Sequence, residues 1–233
     1  MLSKPLCAAI SGVALYLIIR RERQRRHAHK EAGWPRAKLP VSPFALLQAW
    51  MDDAEQQAGF VEARTMVLAT CSADDGPTAR TIICHSADAA TGLAFGSNPF
   101  SLKGRQLAAD KRAEVVFRWG QRQCRVRGSV ARETDSTSFF RTLPRGAQLG
   151  LQFLQQGKAI QEDEHAASLA RYAALAAADD QGALPAPANY AAYRLEPVSF
   201  EFYMGGHEGY VNDRFLYLPE GKMGEWSIGR LQG

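Results

Sequence analysis

Four polar side chains between residues 80 and 103 have types and spacing that suit the binding of an anion. Arg80 begins an apolar, β-rich run and Ser97 ends the next one, while Ser101 and Lys103 open a helical pattern. A helix N-terminus presents free N–H groups, and arginine binds phosphate through two parallel hydrogen bonds. The spacing therefore suggests a cradle for a dianion. The alternative is that Arg80 and Lys103 are solvated surface charges.

Other chemistry has weaker support. The sequence contains neither G-x-S-x-G nor H-E-x-x-H, and its four cysteines form no C-x-x-C pair, so no nucleophile and no metal site are predicted. His85 and His207 lie in the β-rich part of the chain. A lone histidine at a strand end is more often a core or solvated residue than a base. We therefore assign no catalytic residue with certainty.

The charge of the chain is concentrated at its N-terminus. The net charge is +4, but residues 1–40 contain nine Lys/Arg and two Asp/Glu, which leaves the remaining residues slightly acidic. A near-neutral body does not indicate a nucleic-acid partner. The low cysteine content fits a reducing, intracellular compartment.

Residues 1–40 form a predicted N-terminal extension and linker, separate from a domain at 41–233. Residues 5–19 are 15 uncharged and mostly apolar residues, followed at once by "RRERQRR". Such a run is short for a membrane span. It suggests a membrane tether through residues 5–26 with the body in the cytosol, a cleaved organellar leader, or an unstructured extension.

The elements of the body indicate a mainly β fold with flanking helices. "SADDGP" between two β-rich runs predicts a hairpin, and Gly128 suggests a bulge or kink. Many short strands with short helices between them favour an antiparallel barrel over a parallel α/β sheet. Helices are predicted at 42–59, 101–112, 135–142 and 162–178, and strands at 65–70, 79–84, 92–98, 113–119, 122–133, 193–204, 214–219 and 225–231.

From about residue 43 to the C-terminus, the chain resembles the pyridoxine/pyridoxamine 5′-phosphate oxidases. The resemblance is carried by "ARTIICHS", "GLAFGSNPFSLKGRQLAADKRAEVVFRW", "YRLEPVSFEFYMGG" and "NDRFLY". It implies an FMN-binding split β-barrel that forms a homodimer with FMN at the subunit interface.

The resemblance assigns most of the family's FMN contacts to matching residues. The phosphate contacts fall on the four residues of the cradle, and Arg214 matches an arginine near flavin N1, where a cation tunes the cofactor. The alternative for Arg214 is a structural pair with Asp213. Leu102 and Gly96 depart from the family's Arg and Tyr. The implied FMN-binding residues are Arg80, Ile82, Ile83, Ser97, Ser101, Lys103, Gln123, Gln156, Tyr203 and Arg214.

The substrate positions depart from the family at every residue. The family's Lys, Tyr, Arg and Ser for the substrate phosphate, and its Arg-x-His pair, correspond to His85, Phe139, Leu143, Ala147, Tyr210 and Asn212. Losing two or three cations should weaken phosphate binding by orders of magnitude. Protonated His85, or Arg141 or Arg145 from nearby, are candidates to compensate.

These departures favour an FMN-dependent oxidoreductase that passes a hydride from a small substrate to flavin N5 and then electrons to O2 or another acceptor. The expected substrate is not pyridoxamine phosphate. The alternatives are an authentic pyridoxine/pyridoxamine 5′-phosphate oxidase and a non-catalytic flavin- or ligand-binding protein.

Overall fold

The computed structural model describes residues 36–205, 212–221 and 224–232, and within them nine strands form one antiparallel sheet. The strands are β1 (Thr65–Ser72), β2 (Gly76–Ile83), β3 (Ser86–Asp88), β4 (Gly92–Ser97), β5 (Arg112–Trp119), β6 (Arg122–Arg132), β7 (Ala191–Met204), β8 (Asp213–Pro219) and β9 (Trp226–Arg230). The helices are α1 (Pro43–Ala58), α2 (Phe60–Arg64), α3 (Leu102–Ala109), α4 (Ser136–Arg141), α5 (Arg145–Leu151) and α6 (Glu162–Ala177).

The sheet runs in the order β2-β1-β5-β6-β7-β4-β3 and branches at β7. The first part of β7 pairs with β4, whereas its last five residues pair with β8. The β6–β7 register shifts between Arg127 and Gly128, so Gly128 marks the predicted irregularity. The His85 N–H, immediately before β3, donates to the Ala94 carbonyl of β4 across 2.9 Å. Strands β2 and β3, the two ends of the strand order, are consecutive in the chain.

The main core lies inside the curved sheet and beneath α1. Pro43 stands at the start of α1, a position that favours proline, and Gly59 ends the helix at φ 86°. Leu47, Trp50 and Met51 are buried at helical spacing. The Trp50 ring packs edge-on against the ring of Phe202, with 5.2 Å between their centroids. Helix α1 therefore covers part of the barrel interior.

The structure confirms the mainly β architecture with flanking helices. Strands β1 and β2 meet in the predicted hairpin, with Ser72 opposite Gly76. The sequence did not predict β3, α2 or α5. Strand β3 has only three residues, and α5 contains two glycines, "RGAQLGL", which disfavour a helix in isolation.

The predicted membrane tether through residues 5–26 lies outside the described residues. Among the helices that the structure does describe, none has the length and apolar character needed to cross a bilayer.

Candidate functional site

Arg80 is held on the core face of the β1–β2 hairpin by neutral oxygen atoms. Its register partner on β1 is Leu68, which is fully buried. Nη1 donates to the Leu68 carbonyl at 3.0 Å and to Thr70 Oγ1 at 2.7 Å, and Nη2 donates to Thr78 Oγ1 at 2.5 Å. Burial lowers the pKa of the Arg80 guanidinium. The side chain is therefore fixed in place without having its charge neutralised.

Lys103 and two serines complete this cluster at the junction of β4 and α3. Lys103 is only 6% exposed, and its Nζ donates to Gln156 Oε1 at 2.9 Å and to Ser101 Oγ at 3.4 Å. Burial, and then the charge of Arg80, lower the pKa of the Lys103 ammonium. The Ser97 hydroxyl is buried and has no hydrogen-bond partner among the described residues.

The cluster formed by Arg80, Ser97, Ser101, Lys103 and Gln156, here called the cationic cradle, fits an anion. No carboxylate in the described part of the chain pairs with Arg80 or Lys103. Two neighbouring cations, one half-buried and one buried, are unfavourable without a counter-charge unless an anion joins them. Helix α3 begins beside them, immediately after Ser101.

A second set of predicted flavin contacts lies on the outer face of the sheet. Gln123 opposes Tyr203, and Tyr203 opposes Arg214, so the three side chains form one row across β6, β7 and β8. Their chain neighbours Cys124 and Phe202 are buried in the core, which directs the row outward. Within one chain, the cationic cradle and this outer row therefore lie on opposite faces of the sheet.

Arg214 is bound by Glu201, and the suggested Asp213–Arg214 pair is wrong. Two guanidinium nitrogens of Arg214, Nε and Nη2, donate to the two carboxylate oxygens of Glu201 at 3.1 Å each. Asp213 instead accepts a hydrogen bond from Arg230. Adjacent residues in a strand point to opposite faces, so Asp213 faces inward while Arg214 faces outward. Glu201 also contacts Arg125, which in turn binds Glu114.

The side chains of Ile82 and Ile83, adjacent residues of β2, also point to opposite faces of the sheet. Ile82 opposes Met66 and packs against the core, whereas Ile83 opposes Thr65. Both are half-buried, and they are the last two residues of β2, two and three positions after Arg80.

Two of the predicted substrate residues meet in the structure. The rings of His85 and Phe139 are 5.0 Å apart in an edge-to-face arrangement. Leu143 is buried in a small cluster with Phe140 and Tyr190. Ala147 is exposed on α5 and Asn212 is half-buried before β8, while Tyr210 lies outside the described residues.

The residues that could compensate for the lost cations offer little positive charge to a substrate in this region. Burial, and then the charge of Arg64, lower the pKa of His85 from its usual value of 6.5, so its ring is mainly neutral at pH 7. The Arg145 guanidinium binds both carboxylate oxygens of Asp179. Arg141 is exposed on α4. The described part of the substrate region is therefore more aromatic and apolar than cationic.

Gly96 has a local explanation in the packing of Tyr190. A Cβ atom built on Gly96 would lie 2.5 Å from the Tyr190 hydroxyl, so Tyr190 occupies the space that a side chain at residue 96 would need. Leu102, the other departure, is 38% exposed at the start of α3. The cationic cradle thus lacks the arginine expected at that position.

Sequence reasoning missed the residues behind Arg80. Thr70, Thr78 and Gln106 form hydrogen bonds to one another around its guanidinium, and Thr70 and Gln106 are buried. The available signal was the presence of polar residues at positions whose periodicity indicates burial, because buried polar groups need partners.

The fold and the cationic cradle define an antiparallel split barrel with a site suited to the phosphate of a cofactor. A family model described as Pyridoxamine 5′-phosphate oxidase matches residues 52–170. The pyridoxine/pyridoxamine 5′-phosphate oxidase of Rubrobacter xylanophilus is 33% identical over 211 residues, which are 89% of this chain and 94% of the relative. The enzyme of the same name from Azorhizobium caulinodans is 34% identical over 200 residues, which are 81% of this chain and 89% of the relative. The chain belongs to the pyridoxamine 5′-phosphate oxidase family, an FMN-binding flavoprotein family.

Two solved structures share the fold. PhzG from Burkholderia lata, in complex with tetrahydrophenazine-1-carboxylic acid, has a TM-score of 0.73 and 24% identity, covering 87% of this chain and 98% of that one. An FMN-binding, pyridoxamine 5′-phosphate oxidase-related protein from Nostoc punctiforme has a TM-score of 0.67 and 19% identity. The match covers 84% of this chain and 100% of that one.

Proposed function

We propose that this chain is an FMN-dependent oxidoreductase whose small substrate is not recognised through a phosphate group. Membership of an FMN-binding family supports the cofactor. The chain's own residues also fit it, because the cationic cradle offers two cations without carboxylate partners in the described chain and a buried serine hydroxyl without an acceptor. These donors match a phosphate dianion.

Each part of the site has a separate task in this proposal. The cationic cradle binds the cofactor phosphate and so anchors the flavin. Arg214 supplies positive charge at the flavin ring, with Glu201 holding the guanidinium in place. When bound, FMN supplies the two-electron chemistry, taking a hydride from the substrate and delivering electrons to O2 or another acceptor.

The positions of the two sets of residues support a homodimer. The cationic cradle and the outer row lie on opposite faces of one sheet, so one chain cannot easily present both to a single FMN. A second copy that brings its outer row to the first copy's cradle would complete the site. This arrangement agrees with the interface site that the family resemblance implies.

The observation that carries the substrate proposal is the loss of the family's cations at the positions of His85 and Leu143. Arg64 does lie near His85, but its guanidinium donates to the His85 carbonyl at 3.4 Å and lies 3.8 Å from the Glu55 carboxylate. The His85 ring is mainly neutral at pH 7 and rests against Phe139, and Arg145 is paired with Asp179. An apolar, aromatic wall favours a substrate held by ring packing over one held by its phosphate. The PhzG complex shows that this fold can hold a ligand with a carboxylate and no phosphate.

The test compares substrates on FMN-loaded protein. We expect kcat/KM for pyridoxamine 5′-phosphate to fall well below about 10⁴ M⁻¹s⁻¹, the lower end of the usual enzyme range. We also expect a panel of non-phosphorylated aromatic and alicyclic substrates to include one that bleaches the flavin faster. A kcat/KM above about 10⁴ M⁻¹s⁻¹ for pyridoxamine 5′-phosphate, within the usual enzyme range, would instead identify an authentic oxidase.

A matched variant makes the comparison sharper. The double substitution His85→Lys with Leu143→Arg returns two cations to the positions where the family has them. It should improve kcat/KM for pyridoxamine 5′-phosphate by about tenfold or more, since each charge-assisted contact typically contributes about 1.5–3 kcal/mol. No improvement in a folded, FMN-loaded variant would contradict the assignment of this region as the substrate site.

A further inference from the structure

The network behind Arg80 joins three residues from three elements. Gln106 on α3 is fully buried, and its Oε1 accepts hydrogen bonds from Thr70 Oγ1 at 2.6 Å and from Thr78 Oγ1 at 2.7 Å. Its Nε2 donates to the Gly76 carbonyl at 3.2 Å. That last bond fixes the orientation of the amide, because only the oxygen can then face the two threonines.

The direction of these bonds determines how Arg80 is held. Each threonine hydroxyl has one proton, and in both Thr70 and Thr78 that proton is given to Gln106. Their lone pairs are therefore left to accept from the Arg80 guanidinium. Gln106 in this way sets both hydroxyls as acceptors, although it does not touch Arg80 through any described hydrogen bond.

A count of the Arg80 protons shows what remains for a ligand. A guanidinium has five N–H groups. Nη1 uses two, on the Leu68 carbonyl and Thr70, and Nη2 uses one, on Thr78. One Nη2–H and the Nε–H have no acceptor in the described chain. The Thr70 and Thr78 hydroxyl oxygens lie 3.5 Å apart, so both face the edge between Nη1 and Nη2. The remaining Nη2–H therefore lies beside the Nε–H, and these two N–H groups form the fork that binds two oxygens of one phosphate.

We propose that Thr70, Thr78 and Gln106 form a clamp that positions Arg80 for bidentate binding of the flavin phosphate. The clamp makes these three residues determinants of the preference for FMN over riboflavin, which has no phosphate. The inference rests on the proposed FMN binding and adds positioning residues that do not touch the cofactor themselves.

Thr78→Val tests the clamp with little change of shape. Valine is close in size to threonine and is favoured in strands, and Thr78 is half-buried on β2, so the hairpin should fold. The dissociation constants of FMN and of riboflavin are measured by quenching of flavin fluorescence on the full-length, flavin-free chain. We expect Thr78→Val to weaken FMN binding by about 10- to 100-fold and to leave riboflavin binding unchanged.

Three further variants separate positioning from general damage. Thr78→Ser keeps the hydroxyl and should bind FMN within about threefold of the wild type. Thr91→Val removes a hydroxyl that bonds Asp88 in the β3–β4 turn and should have no effect. The Arg80→Lys variant lacks the fork. Adding Thr78→Val to it should weaken FMN binding by less than about a further twofold.

Several outcomes would overturn the inference. Equal weakening of FMN and riboflavin, equal losses in Thr78→Val and Thr78→Ser, or full additivity with Arg80→Lys would each show that the clamp does not act through the phosphate. If Thr78→Val binds FMN with wild-type affinity, the clamp is refuted but the proposed function is not. A wild-type chain that binds neither flavin would refute the proposed function together with the clamp.

Discussion

Arg80 and Lys103 bring two positive charges together in a partly buried site. Burial lowers the pKa of both side chains, and Arg80 lowers that of Lys103 further. Sites that bind charged ligands often carry such unfavourable arrangements when empty, because the ligand supplies the missing partner. The two neighbouring charges should therefore lower the free energy of unfolding of the flavin-free protein.

Lys103→Met tests this cost directly. Methionine keeps most of the aliphatic stem and removes the charge, so the free energy of unfolding of the flavin-free protein should stay the same or rise by about 1 kcal/mol. FMN binding should weaken by about 10- to 100-fold, since a charge-assisted contact is lost. Denaturant unfolding and FMN titration check the two halves. A clear loss of stability in the flavin-free variant would show that Lys103 is structural.

Arg214 gives a second prediction at the scale of one residue. Its positive charge should favour the negative charge that the flavin gains on reduction. We expect Arg214→Leu to lower the flavin reduction potential by about 30–60 mV, the equivalent of about 1.5–3 kcal/mol for two electrons. The control is Arg230→Leu, which removes a cation on β9 that is paired with Asp213 on β8. An unchanged potential in Arg214→Leu would leave Arg214 only as a partner of Glu201.

At the scale of elements, β6 and β7 approach each other closely near the point where the sheet branches. A Cβ atom at Gly128 would lie 2.1 Å from the Glu196 carbonyl oxygen, so only glycine fits without a backbone shift. This contact lies at the register shift between Arg127 and Gly128. The residues of β7 that pair with β4 precede this contact, and those that pair with β8, which carries Arg214, follow it.

Gly128→Ala should therefore be costly. The added methyl group must push backbone apart, and overpacking of this kind typically costs about 1–3 kcal/mol. Gly229→Ala on β9 is a matched control, because a Cβ there would meet nothing within 4 Å. Denaturant unfolding of both variants checks the prediction, and similar stabilities would contradict the close approach.

The helices and strands show which parts of the structure can be predicted from the amino-acid sequence. The hairpin and the helix from Pro43 follow from local signals, a turn sequence in one case and apolar spacing in the other. Helix α5 was missed because its glycines oppose a helix locally, whereas the tertiary pairing of Arg145 with Asp179 supports it. The resemblance likewise suggested Arg80 as a phosphate contact, but the clamp joins residues 70, 78 and 106, which only the fold brings together.

At the scale of the whole molecule, the proposed site needs two copies of the chain. Val67 on β1 is 39% exposed on the outer face of the sheet and opposes Thr81 and Val116. If a second copy covers this face, a charge placed there should oppose assembly.

Val67→Arg should shift the protein from twice the chain mass of 25.6 kDa toward one chain mass and reduce the FMN bound per chain. Light scattering during size exclusion, with flavin absorbance on the same peaks, measures both. Val41→Arg, at a residue that is 74% exposed near the start of the described chain, is the control. A wild-type monomer that binds FMN fully would contradict the shared site.

The most direct test of the central claim is the visible absorbance of the purified full-length protein after incubation with FMN and removal of free flavin. We predict a flavin spectrum with one FMN per chain, lost in large part in the Arg80→Lys variant. A colourless wild-type protein would contradict the account, because the cationic cradle would then hold no flavin phosphate.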